Sequence, residues 1–568
     1  MSSQIGFPLL ILVIIFALSF VIHESSSQPS SITNPVITDQ QTVTYQKQSN
    51  YIHEFDVPNL REKGLKGIVT DSDGNPWFYH QTNKTSMLIR FNPLNDTFSS
   101  YPIEGTTITD NSIINLAGGQ LIYDEKRKGI WFTDARLNVL GSIDTQNGKI
   151  EVHKIPTKNS GVMGLVLSPD GNSIWFTEII GNNIGSFDIN SKTIKEYPTG
   201  EFTGPTLLAY DSNGQLWVTM SYSNSILKVE PWSLIPGSKI SGIFEIKLEK
   251  PDSLSPFGIA IADKNKSKLY ISDHGSSRLV VSNLTSELKN YTSYWTSPSQ
   301  ALPMSLPSQV VSDKSGNIFF AEHGGNKIGK VSSNTGIMTE FEIPTGPLAT
   351  SLFLTVSNDE KRIWFTEWAS NKIGYLDNTL QVPINIAITK NESASSHTDI
   401  SPIILKGGES FAMNVKLTLD KKKSSLVMAN DTEISVVGMT DSGLQGLQYR
   451  SDVQSANLMK VPKQGVGIDL KVETERAIAG NYWLMIKASL LEKDHLIISL
   501  LYPQLVKLDV PTKPSDNDKI QNFQQVTSKN AETANSSVAH ITDLLRYSAI
   551  AVAMALVAYL IYHKFRRR

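Results

Sequence analysis

The sequence predicts an all-β protein, a seven-bladed β-propeller followed by a β-sandwich, set between two apolar terminal segments. Three observations predict it. One phrase recurs seven times between Gly64 and Asn378: an apolar strand, an Asp-Gly-like turn, an aromatic strand ending in a polar residue, then a segment close to Asn-Lys-Ile-Gly. Aligning PWFYH, IWFTD, SIWFTE, LWVTM, LYISD, IFFAE and IWFTE puts Trp77, Trp131, Trp175, Trp217, Tyr270, Phe319 and Trp364 in one column, 42 to 54 residues apart. A period of this size built from strands means propeller blades. Past Asn378 the repeat gives way to another rhythm of β segments, and a 16-residue apolar run stands near each end of the chain.

From the N-terminus, Phe7 to Ile22 is short for a membrane span and suits a signal peptide or signal anchor over 1–27. Tyr51 to Val57, YIHEFDV, copies the outer-strand motif of EVHKIPT, IKEYPT, FEIKLE and EFEIPT, yet it precedes the first blade. It is expected to close the ring as the outer strand of the seventh blade, leaving no open seam, with Thr379 to Ile388 as the competing donor. The propeller therefore spans 51–378. In its third blade Gly164 to Leu167 is the inner strand, Asp170-Gly171 the turn, Ile174 to Glu178 the second strand, Ile184 to Asp188 the third and Ile194 to Tyr197 the outermost. Asp73-Gly74, Asn213-Gly214 and Ser315-Gly316 take the same turn elsewhere, where positive φ is needed. The aromatic column reads as packing between blades, and the Asn-Lys-Ile-Gly segments as turns into the third strand.

Over 381–510, ILKGGESFAMNVKLTL, ISVVGM, GVGIDLKVET, GNYWLMIKASLL and HLIISLLYPQLVKLDV alternate with Gly-led turns and predict the sandwich. Gly480-Asn481-Tyr482-Trp483-Leu484 resembles the Gly-x-Tyr-x-Leu strand start of immunoglobulin-like domains. Such a module is a spacer or a contact surface for cell-surface protein partners. A polar, flexible stalk follows over 511–540. Residues 544–562 then form a transmembrane helix, with Arg546 able to snorkel and Tyr547, Tyr559 and Tyr562 suited to the interfaces. The tail at 563–568 is basic, whereas Ser2 to Gln46 holds no Lys or Arg, so the tail is cytoplasmic and the body outside. The expected location is the cell membrane, single-pass, or two-pass if the N-terminal segment persists.

Composition narrows the chemistry. A net charge of -2 without a basic stripe argues against nucleic acid as a partner. The absence of cysteine excludes disulfides, thiolate metal sites and a cysteine nucleophile. Residues three after each anchor occupy equivalent blade positions: His80, Asp134, Glu178, Met220, Asp273, Glu322 and Glu367. On a closed ring they are expected at one height around the channel, and five are carboxylates. Like charges gathered near one axis raise one another's pKa or bind a cation, and Mg²⁺ or Ca²⁺ prefers such oxygen ligands. Asp134, Glu178, Asp273, Glu322 and Glu367 are thus the candidate metal ligands.

The phrases IWFTEWASNKIGYLD, IWFTEIIGNNIGSFD and IFFAEHGGNKIGKVSSNTGIMTEFEIPT resemble the repeats of the streptogramin lyases, the virginiamycin B lyase family of seven-bladed propellers, over roughly Tyr51 to Asn378. Gluconolactonase-like propellers share the architecture with other chemistry. The resemblance implies a magnesium-assisted elimination that opens a cyclic depsipeptide, using a Glu and a His in a Pro-His-Gly phrase. Glu367 matches the Glu best, and Glu322 with His323 is the second candidate catalytic set. The Pro-His-Gly position has no match: its counterparts are Lys66, Gly119, Met163, Thr206, Phe257, Ser308 and Leu352. His274 and His323, in DHG and EHG, stand next to ring acids and are the candidate relocated bases, although neighbouring strand residues face opposite sides. Two functions follow. One is an anchored propeller that binds a cation and a small or peptidic ligand at its mouth; the other is a lyase or lactone-acting enzyme using the acidic ring.

Overall fold

The computed structural model describes residues 51–105, 118–240, 246–247, 255–262, 267–284, 291–299, 301–382, 384–390, 402–406, 409–419, 433–440, 448–451, 455–457, 466–473, 480–492 and 495–509. The signal segment, stalk, transmembrane helix and basic tail expected from the sequence lie outside them. Among the described residues no helix is long and apolar enough to cross a membrane.

Blades are four-stranded antiparallel meanders. In the third, the strands Val162–Leu167, Ser173–Glu178, Asn183–Asp188 and Thr193–Pro198 pair in chain order. Six such sheets stand as separate units, covering 65–102, 118–154, 162–198, 205–247, 256–295 and 354–377 with a strand from the N-terminus. The meander at 307–342 has the same four strands but belongs to a larger, nine-stranded sheet. Below, blades are numbered one to seven in chain order, with 307–342 as blade six.

Ring closure follows the expectation. Ile52–Asp56 pairs antiparallel with Lys372–Asp377, from Ile52 opposite Leu376 to Asp56 opposite Lys372, and becomes the outer strand of blade seven. Tyr51 and Ile52 are buried, and Thr345 of blade six's exit loop donates its N–H and hydroxyl to Glu54, both at 2.9 Å. The competing segment goes elsewhere, because Ile384–Lys390 pairs with Ser410–Leu419.

The repeated phrase has a packing cause at each position. The aromatic anchors are all buried, and the indole N–H of Trp77 and of Trp217 reaches the turn aspartates Asp71 and Asp211 at 2.8 and 2.9 Å. The next residue pairs across to the glycine of Asn-x-Ile-Gly: Phe132 opposite Gly141, Phe176 opposite Gly185, Phe320 opposite Gly329 and Phe365 opposite Gly374. A Cβ on Gly185 would meet the Phe176 ring at 2.1 Å, so the glycine exists to let the ring lie flat on the backbone. Blades four and five, which lack that glycine, pair Val218 with Leu227 and Ile271 with Val280 instead. Ahead of the third strand, Asn138, Asn182, Asn224, Asn326 and Asn371 have φ between 53° and 57°, a left-handed conformation that asparagine tolerates. Their side chains also tie blade to blade. Asn326 Nδ2 donates to the carbonyls of Ile343 and Thr345 at 3.0 and 3.1 Å while its Oδ1 accepts from Ala349 N–H at 2.7 Å.

The C-terminal β segments form two antiparallel sheets, but one of them is not separate from the propeller. His495–Asp509 pairs with the outer strand of blade six, Met338 opposite Leu501 and Phe341 opposite Ile498, and with Gly480–Glu492 on its other side. Edge pairing and apolar burial coincide: Leu484, Ile486, Leu500 and Tyr502 share one buried cluster with Phe319, Phe341, Ile52 and Tyr51. An expected neighbouring module is therefore a continuation of blade six, covering an edge that would otherwise stay open.

Candidate functional site

All five ring carboxylates stand at the end of a second strand, as the alignment requires, and all five are fully buried. The structure does not bring them together. Each is held by local hydrogen bonds of its own. Asp134 accepts from the Tyr79 hydroxyl at 2.7 Å and from Leu137 N–H at 2.9 Å. Asp273 accepts from Ser276 Oγ at 2.5 Å, Arg278 Nε at 3.0 Å and Ser255 N–H at 2.8 Å. Glu178 accepts from Asn183 Nδ2 at 3.1 Å, Glu322 from Ser305 Oγ at 2.6 Å and Glu367 from Ser370 Oγ at 2.6 Å. His80 hydrogen-bonds the Glu62 carbonyl at 3.0 Å, and Met220 joins an apolar cluster.

Three of the acids face a second carboxyl from the outer strand of the same blade. Burial first, and Glu196 next, push Glu178 up to about 8. Burial with Glu340 and burial with Glu54 likewise hold Glu322 and Glu367 well above the carboxylate range. The outer partners are themselves latches to the preceding blade. Glu196 accepts from Thr157 N–H and hydroxyl at 2.9 and 3.0 Å, and Glu340 from Ser297 N–H at 2.7 Å. Lys327 and Lys487 contribute positive charge to the Glu322 and Glu340 pair, with Lys487 Nζ 4.0 Å from Glu340 and donating to Ser297 Oγ at 2.6 Å. These pairs hold blades together.

The side chains that reach the hub come one residue later. Gln81 ends its strand, while Ala135, Ile179, Ser221, His274, His323 and Trp368 open the turn just past the second strand, and their contacts differ from those of the acids. Ser221 Oγ donates to the Pro256 carbonyl at 2.6 Å and His274 Nδ1 to the Pro307 carbonyl at 3.1 Å, each on the innermost strand of the next blade. Ala135 and Ile179 share a buried cluster with Met163, Leu207 and Phe257. Gln81 Oε1 accepts from Lys66 Nζ at 3.1 Å. At these positions blades two and three contribute apolar residues, Ala135 and Ile179, and blades four, five, six and one polar ones, Ser221, His274, His323 and Gln81.

His274 and His323 meet there, ring centroids 4.8 Å apart, with the Phe257 ring tilted against His274 at 5.6 Å. Both are buried. Burial lowers His274 to about 4, and burial with the neighbouring imidazole holds His323 well below the ordinary histidine range. Lys66, at a position where the family resemblance implies a histidine, is lowered to about 7, mainly by burial and against the pull of Asp134. The sequence signal for this pair was the DHG and EHG phrases, which set a histidine directly after the ring acid in two neighbouring blades.

The implied magnesium or calcium does not fit these residues. Among the described residues no three of His, Cys, Asp and Glu gather where they could hold a metal ion. The ring carboxyls are enclosed singly or in pairs within the packed blades, Asp134 with a hydroxyl from the blade before it.

Comparison with known proteins follows this geometry. Residues 50–265 match the model described as Virginiamycin B lyase family. That match is shorter than the stretch read from the repeats, and it ends before His274, Glu322, His323 and Glu367. Among solved structures, virginiamycin B lyase from Staphylococcus aureus aligns at 24% identity over 57% of this chain and 98% of its own, with a TM-score of 0.47. A streptogramin B lyase aligns at 22% identity over 58% of this chain and 97% of its own, with a TM-score of 0.48. Hydrazine synthase from Kuenenia stuttgartiensis, at 10% identity, covers 57% and 99% with a TM-score of 0.43. No curated protein sequence matches the chain. Residues 50–265 of this β-propeller chain are thus similar to the Virginiamycin B lyase family.

Proposed function

We propose that this protein is a membrane-anchored, outward-facing propeller that binds a small or peptidic ligand at the hub face bearing His274 and His323, without turning it over. The state of the two imidazoles supports this most directly. Elimination needs a base within reach of a carbon-bound proton, and a base is effective when its pKa lies near the working pH. A histidine lowered to about 4 is neutral at pH 7 but a weak proton acceptor. The carboxyls that would assist, Glu322 and Glu367, are fully buried under their own turns. What remains at the hub is apolar surface with a few directed polar groups, the composition of a binding pocket.

The sequence supports the anchoring, through the apolar run and basic tail at the C-terminus. The two C-terminal sheets are the proposed surface for cell-surface protein partners. The test is incubation with a streptogramin-B-type cyclic depsipeptide, followed by mass spectrometry. Unchanged mass is expected at all times. Linear product that disappears in Glu367→Gln would favour instead the second reading, a lyase with a relocated base.

A further inference from the structure

The protein itself fixes which nitrogen of His274 carries the proton. Nδ1 lies 3.1 Å from the Pro307 carbonyl oxygen, which can only accept, so Nδ1 is the protonated nitrogen. Nε2 then presents a lone pair. That atom is buried, in a residue only 1% exposed, and has no hydrogen-bond partner within the protein. Phe257 and His323 both pack against the ring, at centroid distances of 5.6 and 4.8 Å. A buried acceptor left unmet loses the hydrogen bond it would make in water, so the site is incomplete without a donor.

We infer that the hub takes an uncharged ligand that presents an N–H or O–H donor to His274 Nε2 and lays its apolar remainder against Phe257. This rests on the reading that the hub face binds a ligand, and it adds the ligand's chemistry. A carboxylate is excluded because its oxygens would face the Nε2 lone pair. Turning the imidazole to its other tautomer would set the Pro307 carbonyl against a second lone pair. A metal ion would find too few donors, since no third ligand is at hand among the described residues. A bare ammonium would lose its hydration against Phe257. The adjacent carboxylate, Asp273, offers no compensation, because it faces away and is held by Ser276 and Arg278.

The test uses the full chain, ¹⁵N-labelled at histidine, and two probes that differ by one hydrogen-bond donor, 4-ethylphenol and 4-ethylanisole. Long-range ¹H–¹⁵N spectra are expected to show His274 protonated at Nδ1. The phenol should shift the His274 Nε2 resonance and bind about tenfold more tightly than the anisole, as one hydrogen bond allows. His274→Phe keeps the aromatic contact and is expected to abolish the difference between the probes. A proton found on Nε2, or equal affinity for both probes, overturns the inference while leaving a binding site in place. Failure of both probes to bind overturns the inference and counts against the binding reading beneath it.

Discussion

Replacing Glu178 by Gln should remove a pH dependence of stability that the wild-type fold carries in blade three. Glu178 is fully buried, faces Glu196 and accepts from Asn183 Nδ2 at 3.1 Å, and its pKa is raised to about 8. The unfolded chain releases this proton near the ordinary value of about 4.3. Between those two pH values the native state holds a proton that the unfolded state lacks, so stability falls as pH rises and is fully present only below the unfolded pKa. At about 1.4 kcal/mol per pH unit, wild type should lose on the order of 4 kcal/mol between pH 5 and pH 8 from this residue. Glutamine keeps the shape, donates to Glu196 as the protonated acid does, and cannot ionise. The variant should therefore match wild type near pH 5 and exceed it near pH 8. For a body of this size, with an unfolding entropy of roughly 1 kcal/mol/K, the gain is about 4 °C in Tm. Calorimetric scans of both proteins at pH 5, 6, 7 and 8 measure it. Parallel pH profiles for the two proteins would refute the reasoning, because Glu178 would then ionise normally in the fold.

Further outcomes follow from the packing. Gly185→Leu alone drives a side chain into the Phe176 ring and should cost about 1–3 kcal/mol, an overpacking penalty; adding Phe176→Val recreates the Val218 and Leu227 pair of blade four and should recover most of it in a thermal melt. Lys487→Met removes a positive charge beside Glu340 and Glu322 and should cost about 3 kcal/mol, the scale for breaking a buried ionic cluster. An unchanged Tm there would show that the C-terminal sheet does not complete blade six. Deleting residues before Leu60 removes the closing strand and should yield aggregated or unfolded protein, as judged by gel filtration and circular dichroism. Calcium, magnesium or a chelator should leave Tm unmoved, since no donor cluster for either ion occurs among the described residues.

Much of the architecture was legible because blades repeat. Seven copies of a phrase fix strand order, and a surplus outer-strand motif at Tyr51 to Val57 names its own partner once the ring must close. The coupling of Phe176 to Gly185 has a partial trace in the sequence: blades four and five lack the glycine and carry an aliphatic pair, whereas blade one lacks it and keeps Phe78 opposite Ile89. The site was harder to read. Alignment identified equivalent positions correctly but not their direction, and the conspicuous carboxylates drew attention from the residues beside them. Glu322, the last residue of its strand, meets Ser305, while His323, the first residue of the turn, meets His274. Lys487 lay beyond sequence reasoning altogether. Its closeness to Glu340 depends on His495–Asp509 joining blade six, a long-range pairing that no local pattern announces.

The central claim is that the hub imidazoles are neutral, buried groups suited to holding a ligand and too weakly basic to drive elimination. Proton titration of His274 and His323, followed by NMR in the full chain, tests it without any ligand. The account predicts a midpoint near 4 for His274 and one well below the ordinary histidine range for His323. A midpoint near 6.5 for either ring would restore an effective base at the hub and contradict it.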